Sequence, residues 1–388
     1  MKKIIALLLS AILVLVCFAS CGSTEEAGNA NDEAVIRIGG IGPLTGDASV
    51  YGTAAMNGAQ LAVNEINAAG GINGIKVEFR AEDDVHDAEK SVNAYNILKD
   101  WGMDALVGTV TSNPCIAVKD EAANDNIFLL TPSGTAVECI DVPNAFRVCF
   151  SDPNQGVASA DYIADNAIAT KIAVIYNSSD AYSTGIYEKF NAQAGVKGLE
   201  IVAAESFTAD TKTDFSAQIQ NIKNSGAELV FLPIYCQEAS LILNQAKQAG
   251  LSVKFFGCDG LDGILSIENF DTSLAEGVML LTPFSKDAQD EATQNFVKAY
   301  RENYDEETLN QFAADGYDAV YIIKAAAEKA GITADMSASE ICDALKVAMT
   351  EISVDGVTGE GITWTADGEP SKAPKAVIIK DGVYTSMD

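Results

Sequence analysis

The sequence predicts an α/β protein with two lobes, each a doubly wound parallel sheet covered by helices on both faces. Nearly continuous apolar runs of strand length alternate with segments of helical periodicity, which is typical of parallel sheets buried on both sides. The alternation occurs twice, over residues 36–150 and again over residues 171–257. A length of 388 residues also fits about two domains.

The first series begins with a short strand over residues 36–40. A helix over 53–69 follows, because its apolar residues recur at i, i+4 and i+7, and Gly70 and Gly71 end it. Alternating apolar and polar residues then predict a strand over 75–79. The remaining predictions are helices over 88–100 and 114–123 and strands over 105–108 and 127–131.

The second series is predicted as four strands and three helices. The strands cover residues 171–176, 201–207, 229–234 and 253–257, and the helices cover 185–193, 214–224 and 238–248. Later helices are predicted over 291–303, 312–330 and 339–350, with β-runs over 361–365 and 376–379. We expect these late elements to complete both lobes, so that the chain crosses between them more than once.

The charge balance excludes several classes of function. The chain has 55 acidic and 25 basic residues, a net charge of −30, whereas phosphate backbones are bound by basic surfaces. Nucleic acid is therefore not an expected partner, and docking on anionic lipid is disfavoured for the same reason. The chain has a single histidine, His86, so most histidine-dependent catalytic mechanisms and most zinc sites are not expected. We expect neither a metal nor a cofactor.

The start of the chain predicts export. A basic start, an apolar run over residues 4–18 and a small-residue exit predict a signal peptide over residues 1–20. We expect cleavage before Cys21 and a diacylglyceryl group on its sulfur; the alternative is a plain signal peptide cut near Ala19. Residues 21–34 are small and polar, which fits a flexible linker. The mature protein would then lie outside the cell, anchored by lipid alone to the outer face of the cytoplasmic membrane.

The remaining cysteines leave two possibilities open. No CxxC motif occurs, so a zinc site is not expected. Cys139 and Cys149 flank a turn-rich stretch and could form a disulfide in an oxidising compartment. The alternative is that all six are buried or free thiols: Cys115, Cys139, Cys149, Cys236, Cys258 and Cys342.

Hydroxyl-rich turns follow two strands of the first lobe. Residues 109–114 (TVTSNP) and 131–135 (TPSGT) each lead toward a helix N-terminus, where free N–H groups and the helix dipole attract a carboxylate or phosphate. Ordinary N-capping by serine and threonine is the alternative for either turn. Ligands of open α/β sheets bind at the carboxyl ends of strands, and two such turns side by side favour an anion site.

The second lobe presents different groups at its strand ends. The strand ends lead into residues 178–182 (SSDAY), Tyr235 and residues 258–260 (CDG), which supply an acid and two tyrosines. These groups suit a small zwitterion with its carboxylate on the first lobe and its ammonium on Asp259. No arginine or lysine lies in any of these loops, so we expect neutral donors to hold the carboxylate.

Two other motifs do not indicate a site. The GxGxxxG spacing at residues 40–46 differs from the dinucleotide fingerprint, and Pro43 lacks an N–H that a pyrophosphate would use, so NAD binding is not expected. His86 lies in an acidic turn, residues 83–87 (DDVHD), which we expect to be exposed and solvated instead of holding a cation. Neither GxxxxGK[ST] nor GxSxG occurs, and no nucleophile–base pair is visible.

Several short motifs together resemble the leucine/isoleucine/valine-binding protein family, the substrate-binding subunits of branched-chain amino acid ABC importers. In order they are IGPLTG (41–46), YG (51–52), GAQLA (58–62), EINAAGGING (65–74), FRV (146–148) and GCDG (257–260). The likeness covers about residues 35–380. It implies the type I periplasmic-binding-protein fold, in which two Rossmann-like doubly wound lobes are joined by a three-crossover hinge and close around the ligand. Lobe 1 would comprise residues 35–151 plus about 283–355, and lobe 2 residues 152–282 plus about 356–388.

The resemblance also implies which residues bind the two charges of an amino acid. Ser112 and Thr135, with the backbone of Ser133, match positions that hold the α-carboxylate. Asp259 matches the acidic position that accepts the α-ammonium.

Three tyrosines complete the implied site. Tyr182 and Tyr235 match residues that close over the amino-acid end, and Tyr51 matches an aromatic residue in the side-chain pocket. The family implies a non-catalytic receptor that captures an aliphatic, branched-chain amino acid and delivers it to ABC permease and ATPase subunits. Three alternatives stay open: a ligand-sensing module of the same fold, an enzyme, and a transport protein for amides, urea or aromatic acids.

Overall fold

Two sheets organise the structure, a computed structural model that describes residues 35–387. The predicted signal peptide, the lipidation of Cys21 and the linker lie outside these residues. Within residues 35–387, no helix has both the length and the apolar character that a membrane span requires.

The first eight elements build lobe 1. In chain order they are β1 (Val35–Gly42), α1 (Ser49–Ala68), β2 (Lys76–Asp83), α2 (Ala88–Trp101), β3 (Ala105–Val107), α3 (Ser112–Asp125), β4 (Phe128–Thr131) and β5 (Ala145–Arg147). The strands form a parallel sheet in the order β2-β1-β3-β4-β5. β3, β4 and β5 are buried along their whole length, which requires cover on both faces of the sheet.

The next nine elements build most of lobe 2. They are α4 (Asp152–Asp165), β6 (Lys171–Asn177), α5 (Ala181–Lys197), β7 (Glu200–Phe207), α6 (Ser216–Ser225), β8 (Leu229–Leu232), α7 (Cys236–Ala249), β9 (Lys254–Gly257) and β10 (Met279–Thr282). The chain ends with α8 (Glu291–Asn303), α9 (Gln311–Ala330), α10 (Ala338–Met349), β11 (Val354–Gly356), β12 (Gly359–Ile362), β13 (Lys375–Lys380) and β14 (Val383–Ser386). The second sheet has the order β14-β13-β10-β9-β8-β6-β7, in which only β13 and β14 are antiparallel to their neighbours.

The chain passes between the two lobes three times. It leaves lobe 1 after β5 and returns after β10, so that α9 packs on α1 and α10 packs against β4. It crosses again before β13, which pairs with β10 in lobe 2. The predicted fold class, two doubly wound lobes joined by three crossovers, is confirmed.

Glycines allow α1 and α9 to pack closely. A Cβ atom on Gly58 of α1 would lie 1.9 Å from the Ala313 carbonyl oxygen, and one on Gly316 of α9 would lie 2.0 Å from the Ala55 carbonyl oxygen. Each helix therefore presents a glycine to the backbone of the other. This contact fixes the late helix α9 on the first lobe.

The sequence did not predict five of these elements. β5, β10, β11 and β14 contain only three or four residues, and α4 is dominated by small and polar residues that give little apolar periodicity. The expectation that both late β-runs complete the lobes is wrong for residues 361–365. That run overlaps β12, which pairs only with β11 in a separate two-stranded sheet.

The six cysteines of the described residues are buried free thiols, so the disulfide considered between Cys139 and Cys149 is not formed. Cys139 lies instead beside Cys115, whose Sγ donates to the Cys139 carbonyl oxygen at 3.9 Å. Burial raises the pKa of both the Cys139 and Cys149 thiols well above the ordinary value. These two thiols are therefore inert side chains of the core.

Candidate ligand-binding site

The lobe 1 side of the site is the loop Ser133–Ala136, which follows β4, together with the start of α3. Ser112, the first residue of α3, accepts a hydrogen bond on its Oγ from the Ala136 amide at 3.2 Å. The Ser133 hydroxyl donates to the Val110 carbonyl at 2.7 Å. Both hydroxyls therefore hold the two turns together, whereas the buried Thr135 hydroxyl has no hydrogen-bond partner among the described residues.

Along this loop, backbone amides that donate a hydrogen bond within the protein alternate with amides that do not. The Gly134 amide donates to Thr131 Oγ1 at 2.7 Å, and the Ala136 amide donates to Ser112 as described. Within residues 35–387, the Ser133 and Thr135 amides donate to no protein acceptor. Two free N–H groups beside a free hydroxyl form a neutral site for an anion.

Asp259 is the centre of the lobe 2 side. It follows β9 and begins a 3₁₀ turn, Asp259–Leu261. Its carboxylate accepts a hydrogen bond from the Tyr182 hydroxyl at 2.8 Å, and that hydroxyl accepts one from the Gly260 amide at 2.9 Å. Burial raises the pKa of Asp259 to about 6, against the opposing effect of the Tyr182 hydrogen bond.

Three tyrosine rings meet at the cleft. The Tyr235 ring stacks on that of Tyr182 at a centroid distance of 4.9 Å and meets the Tyr51 ring at 5.4 Å. Tyr51 comes from lobe 1, and its hydroxyl donates to the Gly260 carbonyl and accepts from the Cys236 amide, both at 2.7 Å. Tyr51 therefore joins the lobes directly, and the structure has them closed.

Two buried acids that the sequence analysis did not select act, with Asp259, on Tyr235. Asp152 opens α4, is only 1% exposed, and has no hydrogen-bond partner on either carboxylate oxygen among the described residues. Burial and the neighbouring Asp259 raise its pKa well above the ordinary value, while the positive charge of Arg147 acts in the opposite direction. Asp180 precedes α5, and burial raises its pKa to about 7.

The signal for these acids in the sequence was weak. Asp152 precedes Pro153 and Asp180 precedes a helix, and in both places an aspartate is an ordinary helix-start residue. Only the tertiary structure shows that their carboxylates are unpartnered. Gln155, one turn further along α4, adds a third unpartnered group, its Nε2.

The turn around His86 is not the exposed, solvated turn that was expected. His86 is half-buried, its Nδ1 is 2.9 Å from Thr111 Oγ1, and its ring meets the Tyr235 ring edge-on at 5.3 Å. Burial, together with the nearby Lys212, lowers the pKa of His86 to about 4, so the ring is neutral at pH 7. The residue lies at the mouth of the cleft, where a cavity of about 300 Å³ is lined by Asp47, His86, Lys212, Tyr235 and Glu238.

The structure brings Tyr51, Tyr182, Tyr235 and Asp259 into one cluster, and it places Ser112, Ser133 and Thr135 in two adjoining turns of lobe 1. The two groups of residues differ in electrostatic character. Lobe 1 contributes free N–H groups and a hydroxyl, and lobe 2 contributes buried carboxylates. Unpaired buried carboxylates are unfavourable until a cation or donor reaches them. In residues 35–387, no group of acidic, histidine or cysteine side chains is arranged to hold a metal ion. The arrangement suits a small molecule that carries both charges.

Comparison with known proteins identifies the family. The family model described as periplasmic binding protein matches residues 35–382. The chain is 33% identical over 307 residues to the Leu/Ile/Val-binding protein homolog 3 of Brucella melitensis, covering 78% of this chain and 81% of that protein. It is 32% identical over 300 residues to the leucine-, isoleucine-, valine-, threonine- and alanine-binding protein of Pseudomonas aeruginosa, covering 76% and 79%.

A solved structure shows the same architecture. The branched-chain amino acid transporter substrate-binding protein LivJ of Streptococcus pneumoniae, crystallised with isoleucine, superposes with a TM-score of 0.82 at 29% identity. The match covers 91% of this chain and 98% of that one. The chain therefore belongs to the leucine/isoleucine/valine-binding family of periplasmic binding proteins.

Proposed function

We propose that this chain is the extracytoplasmic substrate-binding component of an ABC importer and captures an aliphatic α-amino acid. One observation carries the proposal: lobe 1 holds free amides at Ser133 and Thr135, and lobe 2 holds the buried Asp152, whose carboxylate has no hydrogen-bond partner among the described residues, and the buried Asp259, whose carboxylate accepts from the Tyr182 hydroxyl. An α-amino acid carries a carboxylate and an ammonium on the same carbon atom, Cα. Each charge meets groups of the opposite character when the lobes close.

Binding energy supports a central role for the charged groups. Burying one leucine-sized side chain contributes about 1.5–3 kcal/mol, whereas micromolar affinity requires about 8 kcal/mol. Hydrogen bonds to charged groups contribute about 1.5–3 kcal/mol each. The Thr135 hydroxyl and the two free amides would bind the carboxylate, and Asp259 with Asp152 the ammonium. Tyr182 and Tyr235 would close over the amino-acid end, and Tyr51 would line the side-chain pocket.

The relatives support the class of cargo and the transport role. The named ligand in the Streptococcus pneumoniae structure is isoleucine, and the Pseudomonas aeruginosa protein is named for five aliphatic or small amino acids. We infer delivery to permease and ATPase subunits in the membrane. We also infer attachment of the mature chain to that membrane through a lipid on Cys21.

Calorimetric titration with leucine, isoleucine, valine and alanine tests the proposal. Asp259→Asn should weaken binding of the preferred amino acid by roughly 30-fold to several thousand-fold, since losing one partner of a buried charge pair costs about 2–5 kcal/mol. Asp290→Asn is the matched control, because Asp290 caps α8 away from the cleft. Unchanged affinity in Asp259→Asn, or chemical conversion of the bound amino acid, would contradict the proposal.

A further inference from the structure

A buried arginine lies directly behind the loop Ser133–Ala136. Arg147 ends β5 and is 0% exposed. Its guanidinium donates to three successive carbonyls of the loop, those of Gly134 at 3.2 Å, Thr135, and Ala136 at 3.0 Å. Arg147 lies outside the strand-end loops in which the sequence has no arginine or lysine. Within residues 35–387, the hydrogen bonds of the Arg147 guanidinium all go to these three carbonyls.

The geometry of the peptide unit links Arg147 to the free amide of Thr135. In a trans peptide, the C=O of one residue and the N–H of the next lie in one plane and point in opposite directions. Arg147 holds the Gly134 carbonyl, so the Thr135 N–H must point away from the guanidinium. The same relation between the Thr135 carbonyl and the Ala136 N–H directs the latter to Ser112.

The charge of Arg147 is only partly balanced by the protein. Its one ion pair within the described residues is to Glu369, at 3.4 Å, and the Glu369 side chain is 35% exposed. The other carboxyl group that acts on Arg147 is that of Asp152, which is buried and has a pKa raised well above the ordinary value. Its Nε has no hydrogen-bond partner there. A buried cation with one partly solvated counter-ion leaves positive potential in a region of low dielectric, and this potential extends through the loop toward the cleft.

We propose that Arg147 is a positioning residue for carboxylate recognition. It fixes the direction of the Thr135 amide through the Gly134 carbonyl, and it adds positive potential behind a loop whose other donors are neutral. This inference rests on the proposed function, in which the loop binds the ligand's α-carboxylate.

The test compares leucine with leucinamide, which has a neutral amide in place of the carboxylate. Calorimetry gives the ratio of the two dissociation constants for the protein and for each variant. Arg147→Met should reduce the preference for leucine by about tenfold or more, because it removes both the orientation and the charge. Arg147→Lys keeps the charge but not the planar fork, and should reduce the preference by about threefold.

Asn144→Ala is the matched control. Asn144 is also buried in lobe 1 and donates to two backbone carbonyls, those of Ala122 and Ile127, away from the loop. Its loss should lower the melting temperature and leave the ratio within about twofold of the parent's, since a purely structural effect does not distinguish the two ligands.

Each outcome decides a different point. If the parent prefers leucine and Arg147→Met keeps that preference, the role of Arg147 is wrong while the proposed function stands. If Arg147→Met does not fold, Arg147→Lys decides, and an unchanged ratio overturns the inference. If the parent itself shows no preference for the carboxylate, the carboxylate site of the proposed function fails, and this inference fails with it.

Discussion

At the scale of single residues, Asp152 and Asp259 are buried carboxyl groups with no ion pair to a cationic side chain among the described residues. Asp259 has a tyrosine hydroxyl and a glutamine near it, and Asp152 has no hydrogen bond at all on its carboxylate among the described residues. Both pKa values are raised because burial disfavours the charged form. Such groups lower the stability of the empty protein and favour a cationic ligand.

This raised pKa predicts how stability depends on pH. The folded pKa of Asp259, about 6, lies above its unfolded value of about 3.9, so between these values the folded state binds more protons than the unfolded state. The contribution of Asp259 to the free energy of unfolding therefore falls as the pH rises from about 4 to about 6, and stays low above that. Asp259→Asn should remove this part of the fall.

The measurement is urea unfolding of the ligand-free protein at about pH 4.5 and pH 7.5. The control is Asp290→Asn, because the pKa of Asp290 is lowered and its contribution changes only at more acidic pH. The assignment fails if Asp259→Asn and the parent lose the same free energy of unfolding between the two pH values.

The sequence located part of this site and missed part of it, for a physical reason. Ser133, Thr135, Tyr182 and Asp259 follow strands, where the fold class alone places ligand contacts. Asp152 is a candidate for ligand binding because its carboxylate has no hydrogen-bond partner among the described residues. The absence of a partner is a property of the folded structure, so no local pattern reports it.

At the scale of elements, the periodic helices were predicted within a few residues and the short or weakly patterned ones were not. Helix α8 (Glu291–Asn303) has the predicted bounds, whereas α4 was missed, because small residues such as Gly156 and Ala160 replace a large apolar stripe. Gly156 has a purpose there: a Cβ would lie 2.6 Å from the Ile186 carbonyl of α5. Close helix packing thus reduces the apolar pattern that predicts a helix.

The α1–α9 contact gives a prediction at this scale. Gly58→Ala should lower the free energy of unfolding by about 1–3 kcal/mol, because a Cβ at 1.9 Å from the Ala313 carbonyl forces the helices apart. Gly195→Ala is the matched variant: Gly195 lies inside α5 and a Cβ there meets nothing within 4 Å. It should stabilise by about 0.5–1 kcal/mol.

Urea unfolding of the two variants beside the parent gives both values. Opposite signs are expected. Changes of the same sign and size would show that the close approach of α1 and α9 does not limit the side chain at position 58.

At the scale of the whole molecule, contacts between the lobes differ in how much free energy they contribute to closure. The Tyr51 hydroxyl lies in the buried interior and satisfies two backbone groups of lobe 2. Lys212 of lobe 2 pairs with Asp47 of lobe 1 at 2.8 Å, but both side chains are well exposed. A buried donor left without a partner costs about 1–3 kcal/mol, whereas an exposed ion pair contributes about 0–1 kcal/mol.

Tyr51→Phe should therefore weaken leucine binding by about 10- to 100-fold, because closing the lobes would bury the Cys236 N–H and the Gly260 carbonyl unpaired. Lys212→Met, the control at the exposed contact, should change affinity by less than about fivefold. Calorimetry gives the affinities, and small-angle scattering gives the radius of gyration with and without leucine. If the Tyr51→Phe variant binds leucine and closes like the parent, the Tyr51 hydroxyl does not stabilise closure of the lobes.

The three crossings also set the order in which the protein can be made. Lobe 1 needs α9 and α10, and the second sheet gains β13 and β14 only from the last part of the chain. A nascent chain that stopped after β12 would have neither outer strand to cover the edge of β10, and open edges invite association with other chains. Neither lobe can therefore fold completely until nearly the whole chain has been translated, and the two lobes are completed at about the same stage.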